Sequence, residues 1–276
     1  MLTSSEYKRL IQRDKNEGIP ERQYITKGLA AGHSIGELQA FAAKIAGKDE
    51  KWMRDNLSLT GNSEGKGVKQ QWSTSCNATT VEAVRGELDP LYALKMHEDN
   101  PNFTERDNSD GAKLNPKLAA DQKALLETPT ASGYKGIARS VNDPTDPHAG
   151  RWNTDLLNNV EDSTGISFTN KKIGSGLTVD QAVVDISTSV QGGMPVPIVI
   201  GDGAGSAYAH YVLVTATDSG PPRSFSIHDP ANGTTEIRTE EELKTGKIDL
   251  AGDPKKKGSG WNKLGAYEKP TPVAVK

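Results

Sequence analysis

Residues 70–80 read Gln70-Gln71-Trp72-Ser73-Thr74-Ser75-Cys76-Asn77-Ala78-Thr79-Thr80, and they contain the only cysteine of a 276-residue chain. From Cys76 onward, apolar residues recur at three- and four-residue steps, which predicts a helix that runs to about Leu94. A cysteine on the first turn of a helix lies where the helix dipole and the free N–H groups stabilise a thiolate. This stretch therefore predicts a helix that begins with a nucleophile.

Two predicted strands far downstream supply the polar residues that a thiol nucleophile needs. The strand 210–217 begins with His210, the strand 223–229 ends with Asp229, and a turn rich in Gly and Pro separates them, which indicates a hairpin. A neighbouring histidine accepts the proton of a thiol, and a carboxylate holds that histidine in the required tautomer and orientation. We therefore expect Cys76, His210 and Asp229 to form a catalytic triad.

The alternation of side chains along the second strand distinguishes its two polar terminal residues. Phe225, Ile227 and Asp229 share one face, so the two apolar residues predict that Asp229 points inward. His228 lies on the opposite face and is predicted to point outward. The same alternation argues against a metal site built from His210, His228 and Asp229, and we expect no metal and no cofactor.

Acyl transfer also requires hydrogen-bond donors for the oxyanion that develops on the attacked carbonyl. The backbone N–H of Cys76, at the start of its helix, is one expected donor. The side-chain amide of Gln70 is the second, and the sequence leaves Gln71 open as an alternative to it.

Composition limits the classes of protein to which the chain can belong. A formal net charge of −3 gives no reason to expect nucleic acid or an anionic membrane surface as a partner. A single cysteine excludes an intramolecular disulfide, and no run approaches the roughly 20 apolar residues of a membrane span. The polar N-terminus has no apolar segment of signal-peptide length. We expect a soluble protein, either in the bacterial cytoplasm or secreted without a classical signal peptide, and the oligomeric state stays open.

The order of the predicted elements, with helices first and then a run of strands, favours an α+β fold. Residues 1–60 are predicted to form a polar helical region, with capping boxes at Thr3 and Ser34. Residues 61–267 are predicted to form the catalytic domain, and residues 268–276 a loose tail.

The predicted catalytic domain contains a long polar insertion at about 97–175, in which we expect surface loops and one helix. His97 and His148 lie in this insertion without a second ligand at a metal-like spacing, so we interpret both as surface residues. Beyond the insertion, Thr178 is predicted to cap a helix that precedes the buried strand 195–200, and Thr239 to begin a short helix.

The motifs resemble those of papain-like cysteine peptidases, and among these the bacterial peptidases related to bacteriocin-leader processing domains. In that group a glutamine lies six residues before the nucleophile, the cysteine begins a helix, the histidine begins a strand, and an aspartate follows in an Asp-Pro motif with a glycine shortly after. The matching residues here are Gln70, Cys76, His210, Asp229, Pro230 and Gly233.

The resemblance implies a papain-like fold, in which a helical lobe that carries Cys76 packs on a twisted antiparallel sheet that carries His210 and Asp229. It implies hydrolysis of peptide or isopeptide bonds through a thioester, on a protein or peptide substrate. Trp72 and Tyr208 lie beside catalytic segments, and we expect them to contact the substrate.

The chain also departs from that group. Asn77 follows the cysteine where glycine is usual, and the separation between Cys76 and His210 is much longer than in compact leader peptidases. No transporter membrane domain follows, so a free-standing peptidase or a bacterial effector or toxin is expected. Two other functions stay open: a transglutaminase or protein glutamine deamidase that uses the same triad, and an inactive binding module with a buried Cys76.

Overall fold

A computed structural model describes residues 21–61, 64–104, 115–129, 136, 153–157, 164–201, 209–218, 220, 222–250 and 262–273. The described chain combines helices with one antiparallel six-stranded sheet, which confirms the α+β prediction. The helices are α1 (Glu21–Ala30), α2 (Ile35–Ile45), α3 (Glu50–Asn56), α4 (Cys76–Leu88), α5 (Pro90–Asp99), α6 (Pro116–Glu127), α7 (Asn153–Leu157), α8 (Val179–Gln191) and α9 (Glu240–Thr245). The strands are β1 (Ile166–Lys172), β2 (Val196–Gly201), β3 (Ala209–Thr217), β4 (Ser224–Asp229), β5 (Thr234–Thr239) and β6 (Lys263–Pro272).

The sheet has the order β1-β6-β2-β3-β4-β5 and is covered by helices on both faces. On one face, α8 packs its apolar stripe against alternate residues of β2, β3, β4 and β6. On the other face, Leu213 of β3 packs with α4 and with apolar residues of α5, α6 and α7. The sheet therefore lies between two apolar cores, and α4 is the helix that brings the cysteine to it.

The predicted helix starts are confirmed where the structure describes them. Ser34, Thr178 and Thr239 each accept a hydrogen bond from the backbone three residues later, and the residue at that later position reciprocates. These capping boxes satisfy N–H groups that a helix cannot satisfy internally. The capping box predicted at Thr3 lies outside the described residues.

The prediction of one helix from Cys76 to Leu94 is wrong in its length. Helix α4 ends at Leu88, and α5 begins at Pro90. Asp89 between them is extended, as expected for a residue that precedes proline. Its carboxylate accepts from the N–H groups of Leu91 and Tyr92, at 3.0 and 3.1 Å, so it caps the second helix.

The strands that follow the predicted insertion agree with the sequence pattern, except at the C-terminal end. The predicted hairpin from β3 to β4 forms, and a turn that contains Asn232 and Gly233 leads into β5. The predicted tail is wrong in its first part, because β6 continues to Pro272 and pairs with β1. Glu268 is fully buried in this strand, and its carboxylate accepts from Thr154 and Asn170, both at 2.7 Å.

The segment 97–175 is not only a set of surface loops. Strand β1, within this segment, forms an edge of the sheet, and α6 and α7 contribute Leu118, Leu126, Leu156 and Leu157 to the core around α4. The apolar residues of these elements are widely spaced among polar ones, so the pattern did not reveal them as core.

The helices α1 to α3 pack together and against α5 through Ile25, Phe41, Ile45, Met53 and Leu94. None of the helices within the described ranges has both the length and the apolar content to cross a bilayer.

Candidate active site

Cys76 is the first residue of α4 and is half-buried. Its side chain packs against Val199, Tyr211 and Ala266 of three adjacent strands. The N-cap residue Ser75 makes no side-chain capping bond. Within the described part of the chain, the backbone N–H of Cys76 donates to no acceptor, so it stays free at the helix N-terminus.

The first residues of β3 extend beyond its pairing with β4. Helix α4 lies beside them, where a paired strand would otherwise lie. The paired residues of these two strands run from Leu213 to Thr217 on β3. Before Leu213, the backbone N–H of Tyr211 donates to Cys76 Sγ, and its carbonyl accepts from Thr80 Oγ1 at 3.3 Å. A strand backbone that would otherwise bind β4 thus holds the thiol.

His210 contacts the thiol and the carboxylate at once. Its side chain is 2% exposed, its Nε2 lies 2.7 Å from Asp229 Oδ1, and it hydrogen-bonds Cys76. Because Nε2 faces Asp229, Nδ1 is the ring nitrogen that remains for Sγ. The structure therefore brings together the three residues that the sequence predicted to form a triad.

Asp229 is completely buried at the end of β4. Its Oδ1 also accepts from the backbone N–H of Ala231, at 2.9 Å, which fixes the carboxylate on the Asp-Pro turn. Among the described residues its Oδ2 has no hydrogen-bond partner. The negative charge is thus compensated by His210 and one N–H group.

The three pKa values are shifted in the directions that favour a thiolate–imidazolium pair. Burial raises the pKa of Cys76, but the hydrogen bond and charge of His210 and the N–H groups of Tyr211 and Asn77 outweigh it, so the pKa is lowered. Burial lowers the pKa of His210, but Asp229 and Cys76 outweigh it and raise that pKa to about 9. Burial opposes ionisation of Asp229 as well, yet His210 holds its pKa below the ordinary value.

The two glutamines before the cysteine have different surroundings. Gln70 is buried, and its Nε2 donates to the carbonyls of Trp72 and Ser73, at 3.1 and 3.4 Å, while its Oε1 has no partner among the described residues. Gln71 points to the helical lobe, where Oε1 accepts from Asn115 N at 2.9 Å and Nε2 donates to Lys69 O. The Gln71 side chain is therefore held by hydrogen bonds at both of its polar atoms. Gln70 has one polar side-chain atom without a partner among the described residues, its acceptor Oε1.

The segment before Gln70 is tied to the turn after Asp229. Gly67 N donates to Gly233 O at 2.6 Å, and Gln70 N donates to Pro230 O at 2.8 Å. A Cβ on residue 67 would lie 2.6 Å from Leu59 O, so the close approach of this residue to the Leu59 backbone requires glycine. The segment that carries Gln70 and the turn after Asp229 are thus joined by backbone hydrogen bonds.

The prediction that His228 points outward is wrong. It does lie on the face opposite Asp229, but Thr60, Gly67 and Val68 cover that face, and His228 is completely buried. Its Nε2 lies 3.0 Å from Val68 O, and burial lowers its pKa. His228 therefore anchors the segment before Gln70 as a neutral donor.

The buried Gln122 of α6 was missed by the sequence analysis. Its Oε1 accepts from Gln71 N at 2.7 Å and from Ser75 Oγ at 2.8 Å. Its Nε2 donates to Lys69 O at 3.0 Å and to Glu82 Oε2 at 3.2 Å. A glutamine on the apolar face of a predicted helix was the one available signal.

The remaining predicted positions contribute less to the described site. Trp72 is half-buried, and its indole N–H donates to Ala119 O at 3.0 Å, which ties it to α6. Tyr208 and most of the loop 201–208 lie outside the described residues, as does His148. His97 is not a free surface residue, because Nε2 lies 3.0 Å from Ser58 O and the ring packs edge-on against Phe103.

No protein-family model matches this sequence, and no curated protein matches it significantly. The case for an active site therefore depends on the geometry of Cys76, His210 and Asp229. In the described ranges there is no group of three or more His, Cys, Asp or Glu side chains that could hold a metal ion.

Proposed function

We propose that this protein is a papain-like cysteine peptidase that cleaves peptide or isopeptide bonds through Cys76, His210 and Asp229. The observation that carries the proposal is the double engagement of His210. It hydrogen-bonds the thiol at the start of α4 and, through Nε2, a buried carboxylate 2.7 Å away. A structural cysteine needs neither partner.

In the first step, the Cys76 thiolate attacks the carbonyl carbon of the substrate, and the C=O π electrons move to oxygen. The free N–H of Cys76 is placed to donate to this oxyanion. Gln70 can become the second donor only if its amide leaves the carbonyls of Trp72 and Ser73. We therefore expect the Gln70 side chain to turn when substrate binds.

Collapse of the tetrahedral adduct breaks the C–N bond, and the His210 imidazolium gives its proton to the leaving amine. The product is a thioester on Cys76 and a neutral His210. Water then attacks the thioester carbonyl while His210 takes a proton from it. Departure of the Cys76 thiolate releases the acid and restores the ion pair.

The architecture supports the papain-like assignment at the level of element order. A helix that begins with the cysteine packs on an antiparallel sheet whose neighbouring strands carry the histidine and the aspartate. A free-standing peptidase of this kind, including a bacterial effector, would act on a protein or peptide substrate.

The test is incubation of the protein with a mixture of unstructured peptides, followed by mass spectrometry. Cleavage that is lost in Cys76→Ala and in His210→Ala is the expected result. His33→Ala is the matched control, because His33 Nε2 lies 2.8 Å from Asp89 Oδ1 in a His–Asp pair without a thiol. Full activity in Cys76→Ala would overturn the proposal.

Other products would assign the same triad to a different reaction. A gain of about one dalton on glutamine without cleavage indicates deamidation, and a new isopeptide cross-link indicates transglutamination. A thiol that stays inert until the protein is denatured would make Cys76 structural and would favour a binding module.

A further inference from the structure

One completely buried amide joins the loop that carries Gln70 to the helix that begins with Cys76. Gln122 makes four hydrogen bonds, two as acceptor and two as donor, and its side chain is fully enclosed. These four bonds use the full capacity of a primary amide. No other side-chain type of this size offers two donors and two acceptors.

The partners of Gln122 lie at positions that matter for catalysis. Lys69 and Gln71 are the residues on either side of Gln70, and Ser75 is the N-cap of the helix that begins with Cys76. A shift of Gln122 would therefore move the oxyanion-side loop relative to the nucleophile. The fourth partner, Glu82, lies on α4 itself and links the amide to the body of that helix.

The Gln122 amide and its partner Glu82 are both buried, and burial affects the charge of the Glu82 carboxyl. Burial raises the pKa of Glu82 well above its ordinary value and so favours the neutral form of this carboxyl beside the amide. The Gln122 amide itself is satisfied, and a partner that lost its bond to it would cost free energy, whereas Glu82 Oε1 has no hydrogen-bond partner among the described residues. The loop 69–75 is held by this interior contact together with the bonds from Gln70 N to Pro230 O and from Trp72 Nε1 to Ala119 O.

We infer that Gln122 is a positioning residue, which sets the Gln70 loop and the Cys76 helix in the relative placement that the thiol chemistry needs. This inference rests on the proposed function, because it assigns Gln122 a role in the same site. Gln122 touches none of the reacting atoms and acts through Lys69, Gln71 and Ser75.

The test compares Gln122→Met with Leu126→Ala. Methionine fills a similar volume without the amide bonds, whereas Leu126 is buried on the same helix and its side chain packs in the apolar core. The readout is the pH profile for alkylation of Cys76 by iodoacetamide in the folded protein, together with the thermal midpoint. We expect Gln122→Met to shift the alkylation midpoint upward and to slow the reaction near neutral pH about tenfold, since displacement by about 1 Å disrupts such sites.

Leu126→Ala should lower the thermal midpoint and leave the alkylation profile unchanged. A second variant, Ser75→Ala, removes the Ser75 bond to Gln122 together with the contacts of the same hydroxyl with the backbone of Trp72, keeps the other three bonds of Gln122, and should shift the profile in the same direction by less. It keeps the inference testable if Gln122→Met does not fold.

Each outcome decides a separate point. If the wild-type thiol is shifted and both network variants leave the profile unchanged, the positioning role is overturned and the proposed function stands. If Leu126→Ala shifts the profile as much as Gln122→Met does, the effect is general loosening, which also overturns it. If the wild-type thiol titrates like an ordinary cysteine, the proposed function fails and this inference fails with it.

Discussion

The charge of Asp229 determines how far His210 differs from an ordinary histidine. The carboxylate is buried, 2.7 Å from Nε2, and it compensates the penalty that burial imposes on the imidazolium. An ion pair of Cys76 and His210 exists at pH values above the pKa of the thiol and below that of the imidazolium. Asp229 therefore sets the upper end of this pH range.

We predict that Asp229→Asn shifts the basic limb of the pH–activity profile to lower pH. In the wild type this limb should lie near the His210 pKa of about 9. Without the carboxylate, burial of His210 is no longer compensated, so the imidazolium loses its proton at a lower pH. The measurement is kcat/KM for peptide cleavage against pH, and an unmoved basic limb would contradict the assignment of Asp229.

Gln70 and Gln71 offer a second comparison at the scale of the residue. We predict that Gln70→Ala lowers kcat/KM about a hundredfold, as loss of an oxyanion donor does in other enzymes. It should leave alkylation of Cys76 by iodoacetamide unchanged, because that reaction forms no oxyanion.

Gln71→Ala should instead lower the free energy of unfolding, because its side chain joins Lys69 O to Asn115 N. Both variants are compared by peptide cleavage, alkylation and urea unfolding. If Gln71→Ala gave the larger loss of cleavage at unchanged stability, the two roles would be exchanged.

Helix α4 carries both Cys76 and a buried carboxyl. Glu82 lies on the helix face that packs against α6, and it is 1% exposed. Its pKa is raised by burial first, so the native state retains a proton that the unfolded chain releases above its ordinary pKa of 4.5. The corresponding stability is fully present below that value and is lost as pH rises towards the folded-state pKa.

We predict that Glu82→Gln becomes more stable relative to wild type as pH rises. Glutamine can accept the bond from Gln122 and has no proton to lose, so the difference in unfolding free energy should grow by up to about 1.4 kcal/mol per pH unit. Urea unfolding at about pH 5 and about pH 8 measures it. A difference that stays constant between these two pH values would show that the carboxyl is not neutral.

The elements that the sequence predicted well are those with local causes. The capping boxes at Ser34, Thr178 and Thr239 depend on residues three positions apart, and the strand that ends at Asp229 alternates clearly. The end of α4 was missed, although Pro90 marks it, because the apolar period continues across the break.

What could not be predicted depends on contacts between distant segments. The buried carboxylate of Glu268 accepts from Thr154 and Asn170, which are distant in sequence. Because the local pattern does not show these partners, the charged C-terminal segment was predicted to form a tail. Tyr211 N–H and Gln122 support the site through packing that no local pattern encodes.

At the scale of the molecule, the N-terminal helices and the part of the chain that carries the candidate site are joined by polar and apolar contacts. Lys27 Nζ donates to Glu87 O, and His33 Nε2 lies 2.8 Å from Asp89 Oδ1, so α1 and the loop after it reach the C-terminal end of α4. Leu59 packs directly against Gly86 of α4. A Cβ on residue 86 would lie 2.6 Å from the Leu59 side chain. A boundary at residue 60 therefore divides one packed structure.

We predict that a cavity in the N-terminal helices destabilises the active site by the same amount as it destabilises those helices. Ile45 is completely buried among Ile25, Phe41 and Met53, so Ile45→Ala should cost about 3 kcal/mol of unfolding free energy. Two urea unfolding curves should shift together: the loss of helical circular dichroism and the loss of Cys76 alkylation at about pH 6. At that pH only a lowered thiol pKa allows fast alkylation. Val184→Ala, at an exposed position of α8, is the control and should move neither curve. If only the dichroism curve shifted, the N-terminal helices would unfold independently of the site, and the contacts through Leu59 and Lys27 would not couple them.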